Sequence, residues 1–190
     1  FGSAAPVSCA PGSYQDEKGQ PECKSCPSGF YCLDGASSPQ ACPQGYYCPE
    51  STRFGTEHPC PEGTYNDQLS LQSVDECSFC AAGYYCGSSG LTTPTGKCEA
   101  GYFCGGGSAV STPFESNSYQ ISYAGETCVK VLNSTVNDMC PPGHYCPEGS
   151  SAPVQCPPGT NSSSPGLTKE SDCPSCTRGY YCPLNGTVTV

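Results

Sequence analysis

CPQGYYC occupies residues 42–48, and nearly the same seven-residue word recurs as CPSGFYC (26–32), CAAGYYC (80–86), CEAGYFC (98–104), CPPGHYC (140–146) and CTRGYYC (176–182). Each copy holds two cysteines six positions apart, a central glycine and two large rings. If such a segment is extended, side chains alternate faces, so Cys42 and Cys48 share one face. Gly45 between them suits a positive φ or a close backbone contact. Pro43 restricts the chain before it. Two words joined by nine residues, 26–32 and 42–48, admit crossed pairing (Cys26–Cys42, Cys32–Cys48) or nested pairing (Cys26–Cys48, Cys32–Cys42). Six cysteines permit fifteen connectivities, and spacing alone does not choose among them.

The composition explains why the cysteines matter. There are 19 among 190 residues, the density of a disulfide scaffold. Leu, Ile, Val, Phe and Met together number 24, too few for an ordinary core, and the net charge is −10. Without its cysteines such a chain belongs with the disordered ones. Bridges must therefore stand in for burial, each loop of ~15 residues contributing about 3 kcal/mol in the loop-entropy picture. That chemistry needs an oxidising compartment, so an extracellular, secreted or cell-surface location is expected. The start, FGSAAPVSC, carries no signal sequence and reads as a mature or truncated chain. No long apolar run suggests membrane insertion. The acidic balance argues against nucleic acid.

Three sequons, Asn133-Ser134-Thr135, Asn161-Ser162-Ser163 and Asn185-Gly186-Thr187, predict N-linked glycans. Ser38-Pro39, Thr93-Pro94, Thr112-Pro113 and Ser164-Pro165 are weaker candidates for O-linked ones. No other cofactor is expected.

A longer period appears when the cysteines are aligned. Cys9, Cys23, Cys26, Cys32, Cys42 and Cys48 form one set; Cys60, Cys77, Cys80, Cys86, Cys98 and Cys104 form the next. CAPGSY (9–14), CPEGTY (60–65) and CPPGT (156–160) open successive sets. This predicts a cysteine-rich module at 1–50 and a second at 51–108. A degenerate module with a β-strand insertion follows at 109–152, and a partial module at 153–190. GGGS at 105–108 reads as a flexible joint. SYQISYA (118–124) and CVKVL (128–132) read as two short strands. Elsewhere 23 Gly and 20 Pro forbid long helices. The fold class expected is small and disulfide-rich. Tandem modules of short β-ribbons and turns form an elongated rod with almost no helix.

The arrangement resembles the cysteine-rich repeats of the ephrin-receptor-like and tumour-necrosis-factor-receptor-like class, in which a Cys-x-x-Gly-x-Tyr opening leads to Cys-x-x-Cys. The likeness covers residues 9–104 and part of 140–182. It implies Cys9–Cys23, Cys26–Cys42, Cys32–Cys48, Cys60–Cys77, Cys80–Cys98, Cys86–Cys104 and Cys156–Cys173. Cys128 then has Cys140 or Cys146 within reach, and Cys128–Cys140 is the pair expected. Cys146, Cys176 and Cys182 are left over, the last two expecting partners in a continuation of the chain. The doubled-ring word is most similar to such repeats in very large surface proteins of protists and algae, flagellar-hair (mastigoneme) subunits among them. The strict five-residue gap within each word and the absence of long variable loops depart from signalling receptors.

Adjacent strand residues face opposite ways, so one ring of each pair can cover a disulfide while the other faces out. Tyr46, Tyr47, Tyr84, Tyr85, Tyr102, Phe103, Tyr180 and Tyr181 are the interaction candidates. Cys-x-x-Cys at 23/26, 77/80 and 173/176 reads as disulfide chemistry rather than zinc or a redox motif, which needs a βαβ setting. His58 and His144 read as structural, and Asp67, Asp75 and Glu76 as a solvated acidic loop. No catalytic site or metal site is expected. The function these features point to is a structural segment of a glycosylated extracellular filament, stalk or coat. It would assemble through aromatic and glycan contacts with copies of itself or with neighbouring modules. The alternative is a ligand-binding or adhesive receptor ectodomain.

Overall fold

The structure, a computed structural model, describes residues 6–113, 122–123, 126–127 and 137–182. Its elementary piece is a turn. In CPQGYYC the Tyr46 amide donates to the Pro43 carbonyl at 3.3 Å, closing a four-residue turn with Gly45 in third place at φ 82°. That is the glycine position of a type II turn, where a Cβ is disfavoured. The same bond closes Phe30 onto Pro27, Tyr84 onto Ala81, Tyr102 onto Glu99, His144 onto Pro141 and Tyr180 onto Thr177. The turn folds the word back on itself. The Cα atoms of Cys42 and Cys48 come within 5.8 Å and their sulfurs bond.

This overturns most of the expected pairing. Cys26–Cys42, Cys32–Cys48, Cys80–Cys98 and Cys86–Cys104 do not form. Each word closes on itself instead: Cys26–Cys32, Cys42–Cys48, Cys80–Cys86 and Cys98–Cys104. Cys128–Cys140 does not form either, because Cys140 bonds Cys146. Cys176 and Cys182, expected to reach into a continuation, bond each other. The physical reason is the glycine turn, which an extended reading of the word leaves out. The longer bridges Cys9–Cys23, Cys60–Cys77 and Cys156–Cys173 are present as expected.

The opening phrases prove to be the same word in disguise. CAPGSYQ (9–15), CPEGTYN (60–66) and CPPGTNS (156–162) make the same turn, Ser13 onto Ala10, Thr64 onto Pro61 and Thr160 onto Pro157. Where other words carry a ring after glycine, these carry a hydroxyl that donates to the same carbonyl, at 2.6 Å from Thr64 and Thr160. Where other words end in cysteine, these end in Gln15, Asn66 and Ser162. The Asn66 side chain, buried, caps its own loop: Nδ2 donates to Gln68 O and Oδ1 accepts from Gln68 N–H, both at 2.8 Å. An amide thus does locally what a disulfide does elsewhere, and frees the first cysteine for a partner farther along. Nine copies of one turn, at 9–15, 26–32, 42–48, 60–66, 80–86, 98–104, 140–146, 156–162 and 176–182, make up the described chain; they are called here the first to ninth words.

Between words the chain forms two-residue antiparallel ribbons: Ser13–Tyr14 with Lys24–Ser25, Phe30–Tyr31 with Gln40–Ala41, Thr64–Tyr65 with Ser78–Phe79, Tyr84–Tyr85 with Gly96–Lys97, and His144–Tyr145 with Val154–Gln155. Tyr102–Cys104 pairs likewise with Asn137–Met139. Helix among the described residues is limited to 3-10 turns at Val74–Glu76 and Glu170–Asp172. The buried apolar side chains among them are sixteen cysteines with Leu71 and Phe103, so the core is largely sulfur.

The chain divides into two compact units, Phe1–Phe79 with Ser88–Pro94, and Cys80–Gly87 with Thr95–Val190. In the first, Leu71 packs with Cys60 and Cys77 under Tyr47. In the second, Phe103 packs with Cys140 and Cys146. The stretch expected as a β-strand insertion contributes a ribbon of Ser122–Tyr123 with Glu126–Thr127; the proposed strand at 128–132, Cys128, Asn133 and Asn185 lie outside the described residues. GGGS at 105–108 is not the flexible joint its composition suggests. Gly107 N–H donates to Cys80 O at 2.9 Å, and Ser108 is buried with Oγ donating to Val110 O at 2.8 Å. Glycine is used there for a positive φ rather than for freedom.

Candidate functional site

The recurring site is the junction between successive words, and it is made almost wholly of backbone. In the first unit the glycine of one word donates to the closing carbonyl of the next, Gly12 to Cys32 at 2.8 Å and Gly29 to Cys48 at 2.7 Å. The opening cysteine of the next word donates back to that glycine's carbonyl, Cys26 to Gly12 and Cys42 to Gly29, both at 2.9 Å. A residue three or four places beyond the next word donates to the opening cysteine's carbonyl: Gly35 to Cys9, Ser51 to Cys26, Ser70 to Cys42 and Gly90 to Cys60, each at 2.8 Å. The residue after that accepts from the word's last amide, Ala36 from Gln15, Thr52 from Cys32, Leu71 from Cys48 and Leu91 from Asn66.

The second unit repeats the set. Gly83 donates to Cys104 and Cys98 to Gly83; Gly107 donates to Cys80 and Cys86 to Ser108. The next junction is the informative one, because residues 105–139 separate its two words. All four bonds survive there: Gly101 to Cys146, Cys140 to Gly101, Gly149 to Cys98 and Cys104 to Ser150, at 2.8 to 2.9 Å. The insertion leaves and re-enters through a neck in which the Asn137 side-chain amide donates to Gly106 O at 3.2 Å. It is an excursion from the repeat rather than a break in it.

The residues that reach back share a conformation. Gly35, Ser51, Ser70, Gly90, Gly107, Gly149 and Gly166 all have φ between 64° and 78°. The carbonyls of Ser51, Ser70, Gly90, Gly149 and Gly166 lie against the glycine two words earlier. A Cβ on Gly12 would stand 2.5 Å from Ser51 O, one on Gly29 2.7 Å from Ser70 O, and one on Gly83 2.5 Å from Gly149 O; Gly45 faces Gly90 O in the same way. In these words, as in the sixth, where a Cβ on Gly101 would stand 2.8 Å from Gly166 O, the glycine serves twice, for its turn and for close approach. These reaching residues escaped the sequence reading, although a signal existed: CPEST (48–52) and CPEGS (146–150) are one phrase in two places.

The aromatic candidates do not behave as a set. Phe103 is buried, and Tyr46, Tyr47, Tyr85 and Tyr102 are half-buried. Tyr47 stacks on His58 with ring centroids 5.4 Å apart. Tyr46 lies against Gly90, and Tyr85 against Gly87 and Gly96, each ring filling the space a Cβ would take. Tyr84 is exposed, and Tyr180 and Tyr181 are the most open at 78% and 85%. Asn161, half-buried, donates its backbone N–H to Pro174 O at 3.0 Å.

Cys23, Cys26, Cys77, Cys80, Cys173 and Cys176 all carry sulfur–sulfur bonds, each within a Cys-x-x-Cys pair bonded to a different partner. Such sulfurs are not thiolate ligands. His144 Nδ1 sits 3.0 Å from Pro142 O. The acidic residues expected to be merely solvated include one clamp: Glu76 accepts from Gln72 N–H at 2.8 Å across the 3-10 turn. A stronger one is Glu57, which accepts from Arg53 N–H, Nε and Nη2. The guanidinium beside it holds its carboxyl down at about 2.

No protein-family model matches this chain, and no curated protein matches it. The structure is disulfide-rich, a series of two-stranded ribbons with nine bridges among the described residues, a chemistry of oxidising compartments. No helix among the described residues is long and apolar enough to cross a membrane.

Proposed function

We propose that the chain is a structural segment of an extracellular filament, stalk or coat, built of words that are stiffened covalently and locked to their neighbours. The observation that carries this reading is the repetition of the same four backbone bonds from word to word within each unit, including the junction around the insertion. Repeats that bond only to near neighbours extend along one direction. Six words carry their own bridge and the other three a side-chain cap from Gln15, Asn66 or Ser162, so stiffness is distributed along the chain. The reading assigns the chain no reaction. Its partners are copies of itself or further words of the same protein, met through exposed rings such as Tyr84, Tyr180 and Tyr181 and through glycans on Asn133, Asn161 and Asn185. The likeness of the openings and doubled-ring words to ephrin-receptor-like repeats of large surface proteins points the same way, although the crossed bridges that likeness implies do not form.

Negative-stain electron microscopy of native material, purified without reductant, tests this. Periodic filaments whose repeat is accounted for by this chain and its sugar are the expected result. Dispersed particles at every concentration would exclude self-assembly and favour a receptor ectodomain with a soluble ligand.

A further inference from the structure

Among the eighteen described cysteines, Cys23 is exposed and Cys176 half-buried; the other sixteen are buried. Cys23 stands where Cys77 and Cys173 stand in their own sets, yet those two are 7% and 8% exposed. The cause is local. Cys60–Cys77 and Cys156–Cys173 span 17 residues, Cys9–Cys23 only 14. The missing length is that of the three-residue 3-10 turns at Val74–Glu76 and Glu170–Asp172. Those turns are clamped by the acid just before the cysteine. Glu76 accepts from Gln72 N–H, and Asp172 from Thr168 N–H and Oγ1. Leu71 and Tyr47 then cover Cys77. The loop before Cys23 has no such turn. It is held by Gln15, whose Nε2 donates to Glu22 O at 2.5 Å, and by Lys24 on Asp16 and Glu17, all exposed groups.

We propose that Cys23 is the site at which this chain undergoes thiol–disulfide exchange with a small thiol. The external thiolate attacks Cys23 Sγ along the sulfur–sulfur axis. A new sulfur–sulfur bond forms at Cys23, the Cys9–Cys23 bond breaks, and Cys9 leaves as a thiolate that takes a proton from water. The product is a mixed disulfide on Cys23 and a thiol on Cys9, with no net oxidant required. Access governs which sulfur is attacked. The charged neighbours of Cys23 in the chain are Glu22 and Lys24, and Lys24 is paired with Asp16 and Glu17. Opening this bridge removes none of the first junction's bonds: Gly12 to Cys32, Cys26 to Gly12, Gly35 to Cys9 and Gln15 to Ala36 are all backbone contacts outside the 16–22 loop.

The test treats the native protein with reduced glutathione, quenches with an alkylating agent at intervals and maps the peptides by mass spectrometry. The expected result is a glutathione adduct on Cys23 with alkylated Cys9, about tenfold ahead of any other site. First reaction at Cys176 or Cys182, adduct on Cys9 instead of Cys23, or several bridges opening together would overturn the proposal. The double variant Cys9→Ser/Cys23→Ser should lose this fast phase and keep the other eight bridges; a fast phase that persists in it would likewise overturn the assignment.

Discussion

Gly12 and Ser51 meet backbone to backbone across two intervening words, so close that a Cβ on Gly12 would stand 2.5 Å from the Ser51 carbonyl oxygen. Gly159 occupies the same place in its own word, with φ 83° against 87°, and has nothing among the described residues within 4 Å of such a Cβ. The two glycines separate the conformational requirement from the packing one. Gly159→Ala should cost about 1 kcal/mol, the penalty for an alanine at positive φ. Gly12→Ala should cost a further ~1–3 kcal/mol, because the clash is with backbone and cannot be relieved by a rotamer change. Denaturant midpoints of the two variants check this; equal losses would remove the close approach from the account.

Bridge mapping under non-reducing conditions should recover Cys26–Cys32 and Cys42–Cys48 as closed loops within single peptides. A peptide pair joining Cys26 to Cys42 would restore the crossed pattern and undo the junction described above.

Loop size sets a second expectation. The Cys42–Cys48 bridge spans 6 residues and Cys60–Cys77 spans 17. In the loop-entropy picture, replacing each pair by serine costs about 2 and about 3 kcal/mol respectively. The second variant also loses the cluster of Leu71 and Tyr47, so its unfolding midpoint should fall further than the entropy difference alone implies.

Acid should weaken the first unit through Glu57. Its carboxyl is lowered from 4.5 to about 2, first by the Arg53 side chain. A group whose folded pKa is depressed contributes stability that is fully present above the unfolded value and is lost as pH falls through the folded one. The thermal midpoint should therefore decline between pH ~4.5 and ~2 by more in the native chain than in Glu57→Gln, and the two curves should converge at the acid end. Parallel curves would show that the Arg53–Glu57 clamp holds nothing.

Replacing residues 114–136 by a short glycine-serine link should leave the repeat intact, since the junction from Gly101 to Cys146 is complete without them. Loop-closure entropy changes slowly with length, so stability should stay within about 1 kcal/mol. A large loss would mean that the insertion supports the words beside it.

Much of this architecture was readable in the residues. The cysteine density, the scarcity of aliphatics and the scatter of glycine and proline led to a bridged chain of ribbons and turns. Gly45 reads from the sequence as a position for positive φ. Its geometric effect on the two flanking cysteines does not follow from the residue pattern alone. Taking the word as extended put Cys42 and Cys48 on one face but six residues apart, whereas the turn brings their Cα atoms within 5.8 Å. The first, fourth and eighth words were hidden for a chemical reason: Gln15, Asn66 and Ser162 replace the second cysteine, and an amide or hydroxyl does not look like sulfur in a motif. Tyr46 and Tyr85 read as interaction candidates, but their rings pack on glycine: Tyr85 on nearby Gly87 and its ribbon partner Gly96, and Tyr46 on Gly90, in a loop that sequence distance does not connect to it.

The six-residue bridges bear on how the protein is made. In the words at 42–48, 98–104 and 140–146 a nascent chain entering an oxidising lumen presents both cysteines almost at once, and each is the other's nearest partner in the sequence, with the highest effective concentration. The many wrong connectivities open to so many thiols are thereby closed off one word at a time, before most competitors have been synthesised. Pinning comes later, because the carbonyls that lie against Gly12, Gly29, Gly45, Gly83 and Gly101 belong to residues made two words afterwards. Covalent closure runs ahead and packing follows behind it, so the growing chain always ends in a few words that are oxidised yet still free to move.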